Sequence, residues 1–374
     1  MNKMIDCYNS KYGISQKCSA RPPKDPWFEH LEKIKNKLIN KKNLLRRIGA
    51  HVYGLHTPIA KNVMQTMTLS IALNNVELWR SGPPDIAKNA IQSLQSHFND
   101  IYSSILGSER NSSSNAVMHE LGMTNFSDRA DAAVIKFRNY IMNMNDERLP
   151  KRIFYALLND TKGSGNLENG VSLSESIARK HNITAVVSAA TAKEKVLTMR
   201  QINQAKALKE DLTNKSTLSN FKDWTDTHRT GISPYLCQYC PTVLRRGRRL
   251  KTKLRLGCHE LNDSASRSLP GIQRDSNRTC KCCSLQAKET AAHTLYNCPA
   301  YDAIRVDFLQ RVEKVAPGAS SLNQNEFLKL FLGDSTPKSV SLYFYRFLMN
   351  LFNERECRLV DLAAREESSR ALVT

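Results

Sequence analysis

A cluster of cysteines in the last third of the chain, followed by a histidine and one more cysteine, restricts the fold more than any other feature. Cys280 and Cys283 are separated by two residues, and His293 and Cys298 are separated by four. A Cys-x2-Cys turn can direct two sulfurs at one ion, and the His–Cys pair can complete a four-ligand shell. The spacing therefore predicts one structural Zn²⁺ ion bound by these four residues. Ordinary buried thiols are the alternative.

Pro299 follows the last of these ligands and constrains the backbone there. Because a proline disfavours the helical conformation of the residue before it, we expect a helix that carries His293 to stop at Cys298 and a new helix to begin. Residues five apart do not share a face of a regular helix. Four protein ligands leave no position for water, so the predicted metal is structural and not catalytic. Cys282 could replace a neighbouring ligand, but we interpret it as a spare thiol.

The charge of the chain is strongly positive. It carries 55 lysine and arginine residues against 35 aspartate and glutamate residues, which gives a formal net charge of +20 in 374 residues. This excess favours a polyanionic partner, with RNA or DNA ahead of an anionic membrane surface. A basic protein without such a partner is the alternative.

The sequence contains no apolar run long enough to span a bilayer, and its first residues lack the apolar core of a signal peptide. We therefore expect no membrane association and an intracellular, nuclear or nucleocytoplasmic location. In a reducing compartment, clustered cysteines favour metal binding over disulfides.

Apolar residues recur at helical spacing over most of the chain, and strand-like alternation is scarce. The predicted fold is mainly α: a helical bundle followed by a basic linker, a small CCHC zinc knuckle and C-terminal helices. The start of the chain is unlike that of a compact domain, so we expect further sequence upstream. The expected divisions are a loose entry over 1–28, a bundle over 29–158, a flexible Gly-, Ser- and Asn-rich linker over 159–175, a lysine-rich helical segment over 176–233, the basic run with the knuckle and the next helix over 234–316, and C-terminal helices and a tail over 317–374.

Residues 245–255 are the strongest charge feature, because they contain basic residues and no acidic one. The basic residues are Arg245, Arg246, Arg248, Arg249, Lys251, Lys253 and Arg255. Arginine can bind two phosphate oxygens at once, and each neutralised phosphate releases counterions, so we predict salt-sensitive contacts from these residues to nucleic-acid phosphates. A nuclear-localisation signal has the same composition and is the alternative. A basic helix over 29–47 could also follow a phosphate backbone or be a solvated face.

Two further patterns have a structural interpretation. Cys237 and Cys240 form a second Cys-x2-Cys pair, with Cys258 and His259 as candidate partners. Neighbouring residues rarely bind one ion together, so we do not expect a second zinc site. The aromatic residues over 326–352 could stack on bases, but their helical spacing is more typical of a core, and we predict core packing.

Five short stretches occur in the same order as similar stretches in one known protein family. They are residues 120–122 (ELG), 146–150 (DERLP), 254–261 (LRLGCHEL), 278–283 (RTCKCC) and 293–301 (HTLYNCPAY). Together they resemble the region downstream of the polymerase domain in non-LTR retrotransposon reverse transcriptases. The resemblance covers about residues 30–355. Its specificity rests mainly on the knuckle and its flanks.

The resemblance implies a thumb-like helical bundle and linker that hold template and primer, then a CCHC knuckle that binds RNA or DNA. It leaves open a separate polymerase portion as a further partner. This sequence departs from the family because the polymerase palm and the upstream endonuclease domain are absent. No Asp-Asp pair occurs, and two-metal phosphoryl transfer needs such paired carboxylates. We therefore expect no polymerase activity from this chain by itself.

These observations favour a nucleic-acid-binding C-terminal fragment. In this interpretation the basic run contacts phosphates, and the knuckle presents backbone donors or Tyr296 to unpaired bases. A zinc-stabilised helical scaffold for protein–protein interaction is the alternative, and a non-functional remnant is a third. Sequence signatures of P-loops, zinc peptidases and serine hydrolases are absent.

Overall fold

The computed structural model describes residues 26–48, 55–80, 84–108, 112–163, 170–183, 189–266 and 277–371. Within these ranges the chain forms helices and connecting turns, and the only β pairing is an isolated antiparallel bridge between Thr279 and Lys288. The predicted mainly α fold is confirmed.

The helices divide into a set before residue 215 and a set after it. The first set is α1 Pro26–Arg47, α2 Thr57–Met64, α3 Ser70–Ala72, α4 Val76–Trp79, α5 Pro84–Leu106, α6 Ser114–Glu120, α7 Phe126–Met142, α8 Leu149–Gly163, α9 Gly170–Lys180 and α10 Ala189–Asn214. The second set is α11 Phe221–Trp224, α12 Pro234–Cys237, α13 Arg245–Arg255, α14 Asn262–Ala265, α15 Asp302–Glu313, α16 Gln324–Leu332 and α17 Lys338–Ala371. π-Helices lie at Gln65–Leu69 and His293–Asn297, and 3₁₀ helices lie at Ser216–Leu218, Thr242–Leu244, Pro299–Tyr301 and Ala319–Ser321.

Local chemistry explains several helix ends. Gly107 follows α5 with φ +66°, a left-handed conformation that glycine adopts without steric cost. Helix α7 begins after Asn125. Before α16, Asn323 and Glu326 form a reciprocal capping box with two hydrogen bonds of 3.0 Å.

The predicted linker over 159–175 is helical at both ends. Helix α8 continues to Gly163 and α9 starts at Gly170, while residues 164–169 lie outside the described ranges. Most of the predicted entry over 1–28 also lies outside them, and α1 begins at Pro26.

The first hydrophobic core lies among α1, α2, α5, α6, α7 and α10. Leu38 and Phe98 are buried there, and the ring of Phe98 stacks on Phe126 with 5.1 Å between centroids. Leu208 and Phe221 belong to the same core. The lysine-rich segment predicted over 176–233 therefore packs with the bundle that precedes it.

A second core contains the aromatic residues near the C-terminus. Phe308 of α15 stacks on Phe347 of α17 with 4.4 Å between centroids, and Phe327, Phe331 and Phe344 are buried around this pair. The predicted core packing of these aromatics is confirmed. The predicted division at residue 317 falls within this core, because α15 lies before it and α16 and α17 lie after it.

Helix α13 joins the two cores. Leu250 and Leu254 are buried in the second core, whereas Leu256, just past the helix end, is buried in the first. Helix α17 crosses α13 so closely that a Cβ atom on Gly247 would lie 2.1 Å from the Tyr345 carbonyl oxygen. The predicted basic linker is therefore wrong: this segment is a packed helix, since its leucines bury one face and Gly247 admits a neighbouring backbone.

Candidate metal centre and basic helix

The predicted ligands lie on two short backbone motifs. Cys280 and Cys283 belong to a loop closed by the Thr279–Lys288 bridge, where the Cys280 N–H donates to the Ala287 carbonyl at 2.8 Å. The pairing ends at this point, so the two cysteines lie on the turn that follows and face the other ligands. His293 and Cys298 come from the opposite side.

The four ligand atoms of Cys280, Cys283, His293 and Cys298 all lie within 4.8 Å of one another. The Cys280 and Cys298 sulfurs are 3.9 Å apart, and the Cys283 sulfur is 3.5 Å from His293 Nε2. A tetrahedral ion about 2.3 Å from sulfur and about 2.0 Å from nitrogen requires a separation of about 3.8 Å between two sulfurs and about 3.5 Å between sulfur and nitrogen. These residues are therefore close enough to hold one metal ion.

A π-helical turn brings the last two ligands together. His293 is the first residue of the π-helix His293–Asn297, and the Cys298 N–H donates to the His293 carbonyl at 2.7 Å. This i+5 bond places residues five apart above one another, which a regular α-helix does not do. Cys298 is extended, with φ −70° and ψ 116°, and Pro299 starts a 3₁₀ helix. The predicted break at Cys298 is confirmed.

Two arginines that the sequence does not single out hold this turn and loop in place. Arg305 of α15 donates to the Leu295 carbonyl at 3.0 Å and to the Cys298 carbonyl at 2.9 Å. Arg355 of α17 donates twice to Glu289, at 2.8 Å each time. Arg355 lies 66 residues from Glu289, so no local sequence pattern connects them.

The electrostatics of the site suit a cation. Burial raises the pKa of the Cys298 thiol to about 11 and lowers the pKa of His293 below its ordinary value. The imidazole is thus neutral at pH 7, as a ligand must be, whereas neighbouring buried thiolates need a positive ion to form. Cys282, Cys280 and Glu289 form a second close group. Glu289 is already occupied by Arg355, which favours the four-residue set and leaves Cys282 outside it.

Among the described residues, the groups close enough to hold a metal do not include the second Cys-x2-Cys pair. Cys237 is exposed and Cys240 is buried. Cys258 and His259, the candidate partners, are both buried.

The basic run is placed very differently from the prediction. Arg255 is 1% exposed and donates twice to Glu120 Oε1, at 2.9 Å and 2.7 Å. It also donates to Asp334 at 2.9 Å and to the Trp224 carbonyl at 3.1 Å. Burial opposes ionisation of Glu120, but the charges of Arg255 and Arg229 and the hydrogen bonds from Ser233 and Arg255 together outweigh it and lower the pKa of the carboxyl. Arg255 therefore links α6, α11 and the segment after α16.

Three further residues of the run are also buried, namely Arg248, Lys251 and Lys253. Lys251 is fully buried and donates to Thr336 Oγ1 at 3.0 Å, and burial lowers its pKa well below the ordinary value. Lys253 pairs with Glu260 at 2.7 Å. The prediction of phosphate contact needs correction for these three and for Arg255, because their charged ends lie in the interior or are paired. The helix amphipathicity was the missed signal, since Leu250 and Leu254 mark the buried face.

The remaining basic residues of the run lie nearer the surface. Arg246 is exposed and donates to Asn353 at 2.7 Å, with Glu356 at 3.4 Å. Arg249 is half-buried and donates to the Gly107 carbonyl at 2.9 Å. Arg245 is also half-buried. Phosphate contact stays a prediction for these three residues.

Tyr296 packs against the second core. Its hydroxyl donates to the Leu322 carbonyl at 2.9 Å, and its ring meets Phe327 edge-on with 5.3 Å between centroids. Tyr296 therefore belongs to the packing beside the candidate metal site, and its position gives no support to the predicted contact with an unpaired base.

Among the described residues, no helix has both the length and the apolar character needed to cross a bilayer. Comparisons with protein-family models, with curated proteins and with solved structures find no match to this chain. The resemblance to reverse transcriptases therefore rests on the quoted sequence stretches alone.

Proposed function

We propose that this chain is a zinc-stabilised nucleic-acid-binding module of the kind found downstream of the polymerase in non-LTR retrotransposon reverse transcriptases. Three sulfurs and one nitrogen at tetrahedral separations favour Zn²⁺ over metals that prefer oxygen ligands. The ion is structural, because four protein ligands fill its shell. The module acts by binding RNA or DNA.

The exposed loop of the metal site carries this proposal. While the ligands point inward, Lys281 and Lys288 are exposed, and Leu285 between them is 58% exposed. Two cations beside an exposed apolar side chain can contact a phosphate and the face of an unpaired base together. The ion and the bonds from Arg305 and Arg355 keep the loop rigid, which lowers the entropic cost of binding.

A second contact surface is the start of α13. Arg246 forms only surface contacts with Asn353 and Glu356, and such pairs contribute little, so a phosphate can replace them. Exposed residues of α1, including Lys37, Arg46 and Arg47, add to the positive surface. These contacts carry no base information, so they supply affinity and not sequence specificity.

Polymerisation is outside this proposal. The sequence has no Asp-Asp pair that could bind two metal ions in a polymerase site. A nuclear or nucleocytoplasmic location and a separate polymerase portion as partner stay predictions.

The test is filter binding of single-stranded RNA and DNA to the full chain at several salt concentrations. We expect affinity to fall with salt, and the double variant Lys281→Gln, Lys288→Gln to reduce the slope of log K against log salt by about 1.4. The matched control is Lys329→Gln, Lys338→Gln, which removes two exposed lysines from α16 and α17. The control should bind like the parent.

Affinity that does not change with salt would reject phosphate-driven binding. Equal slopes for the loop variant and the control would reject the loop as the contact surface. If nucleic acid does not bind at low salt, the scaffold alternative gains support. A partner protein captured from nuclease-treated extract would then support the scaffold function.

A further inference from the structure

Three cationic side chains from three different helices converge on the segment between α6 and α7. Lys61 of α2 donates to the Gly122 carbonyl at 3.3 Å. Arg200 of α10 donates to Thr124 Oγ1 at 3.1 Å and 2.7 Å. Arg129 of α7 is close enough to both for its charge to act on them, and it donates to the Met123 sulfur at 3.7 Å.

Their partners are neutral and, for Arg129, weak. A thioether sulfur is a poor acceptor for a guanidinium. Among the described residues, Lys61, Arg129 and Arg200 donate to a carbonyl, a thioether and a hydroxyl, and none of the three forms an ion pair with a carboxylate. The charge of Asp128 acts on both arginines, but this carboxylate accepts from Asn203 at 3.1 Å and, among the described residues, forms no ion pair with them. The cluster thus gathers three positive charges against one carboxylate that bonds elsewhere.

Some buried polar atoms in and near this cluster lack partners among the described residues. Within the described part of the chain, the buried Nε of Arg129 has no hydrogen-bond partner, and neither does the hydroxyl of Tyr102. Tyr102 is fully buried and faces both arginines. Buried donors are normally satisfied. The buried Asp128 Oδ2 also has no hydrogen-bond partner in the described part of the chain, so it bonds to neither of these donors. Two unpaired donors beside three cations therefore indicate a missing acceptor.

The cations also destabilise one another. Burial and the Arg129 charge lower the pKa of Lys61 to about 8 and that of Arg200 to about 10. Burial likewise lowers the pKa of Arg129. Mutual repulsion of this kind is relieved when an anion binds between the groups.

We propose that Lys61, Arg129 and Arg200 form a binding site for a phosphate group. Its oxygens can accept from both guanidiniums and the ammonium, and the fork of arginine matches phosphate geometry. The phosphate belongs either to a polynucleotide backbone or to a free phosphate or phosphoester. This site is separate from the metal loop and does not depend on the zinc.

The experiment titrates the full chain with inorganic phosphate at constant ionic strength, with chloride as the compensating anion, and follows the thermal midpoint. We expect phosphate to raise the midpoint in a saturable way. Arg200→Gln and Lys61→Gln should each raise the half-saturating phosphate concentration about tenfold or more, because each removes a charge-assisted hydrogen bond. The control is Lys206→Gln, an exposed lysine on the same helix, which should titrate like the parent.

A midpoint that responds equally to phosphate and chloride would overturn the proposal, as would Arg200→Gln titrating like the control. The source of the phosphate is tested by single-stranded RNA. If RNA displaces phosphate, and Arg200→Gln weakens RNA binding, the polynucleotide is the source. If phosphate binds as expected and RNA does not compete, the source is a free phosphate or phosphoester. The Lys281, Lys288 variant should still bind phosphate, so this site and the proposed loop contact can fail separately.

Discussion

Replacing Arg255 by leucine tests whether the basic run is part of the interior. Arg255 donates to Glu120, to Asp334 and to the Trp224 carbonyl, and its side chain is 0% exposed. Leucine fills part of the volume but supplies no donor. Glu120, whose side chain is also 0% exposed, is left with the Ser233 hydroxyl as its neutral donor.

The expected cost follows from these contacts. Removing one partner of a buried ion pair typically costs about 3–5 kcal/mol, because the other charge stays in the interior without compensation. The Trp224 carbonyl loses a donor as well, so we expect the upper part of this range. Arg246→Leu on the same helix removes only surface contacts and should change the free energy of unfolding by no more than about 1 kcal/mol.

The assay is urea unfolding followed by circular dichroism at 25 °C. The double variant Glu120→Leu, Arg255→Leu should regain at least half of the loss, because it leaves no unpaired charge at this position, while Asp334 keeps its partner Arg229. If Arg255→Leu is no more destabilising than Arg246→Leu, the run does not have the buried role described above.

Three further predictions concern the metal ligands, an internal carboxylate and a helix crossing. Cys298→Ser should lower the zinc content of the purified, reduced protein well below one ion per chain, and Cys282→Ser should leave the zinc content unchanged. Elemental analysis measures the zinc content of both variants. One zinc ion per chain in Cys298→Ser would contradict the proposed ligand set. Burial opposes ionisation of Asp131, but hydrogen bonds from a histidine and a lysine lower its pKa from 3.8 to about 2. The stabilisation from ionised Asp131 is therefore present above pH 3.8 and is lost as the pH falls towards 2. Asp131→Asn should cost about 2 kcal/mol of unfolding free energy at pH 6. In urea titrations at several pH values, the variant should lose less stability than the parent on the acid side. An acid limb as steep as the parent's would refute this. Gly247→Ala should cost about 1–3 kcal/mol in thermal unfolding, because the added Cβ meets the backbone of α17, whereas Gly231→Ala, with nothing within 4 Å, should change stability by less than about 0.5 kcal/mol. Equal changes in stability for the two variants would show that α13 and α17 can move apart without cost, which would contradict the close crossing.

The candidate metal site could be predicted from the sequence because its four residues are close together in the chain. Cys280 and Cys283 are held on one turn, and Pro299 stops the helix at Cys298, so short spacings and one rigid residue specify which atoms meet. The π-turn that brings His293 to Cys298 was not predicted as such. Arg305 of α15 stabilises this turn by donating to the Cys298 carbonyl, and this contact depends on how α15 packs in the tertiary structure.

The sequence by itself determined that the chain is helical, that its aromatic C-terminal segment forms a core and that four side chains can gather one ion. Each of these properties follows from residue types and spacings that repeat over short stretches of the sequence. Only the tertiary structure decided which charges face solvent. Arg255 is buried because Glu120, 135 residues earlier in the chain, lies opposite it, and Lys61, Arg129 and Arg200 meet because three separate helices converge. Charge along a sequence is additive, but its exposure depends on partners that are distant in the chain, and for this reason the most basic run of this protein is largely interior.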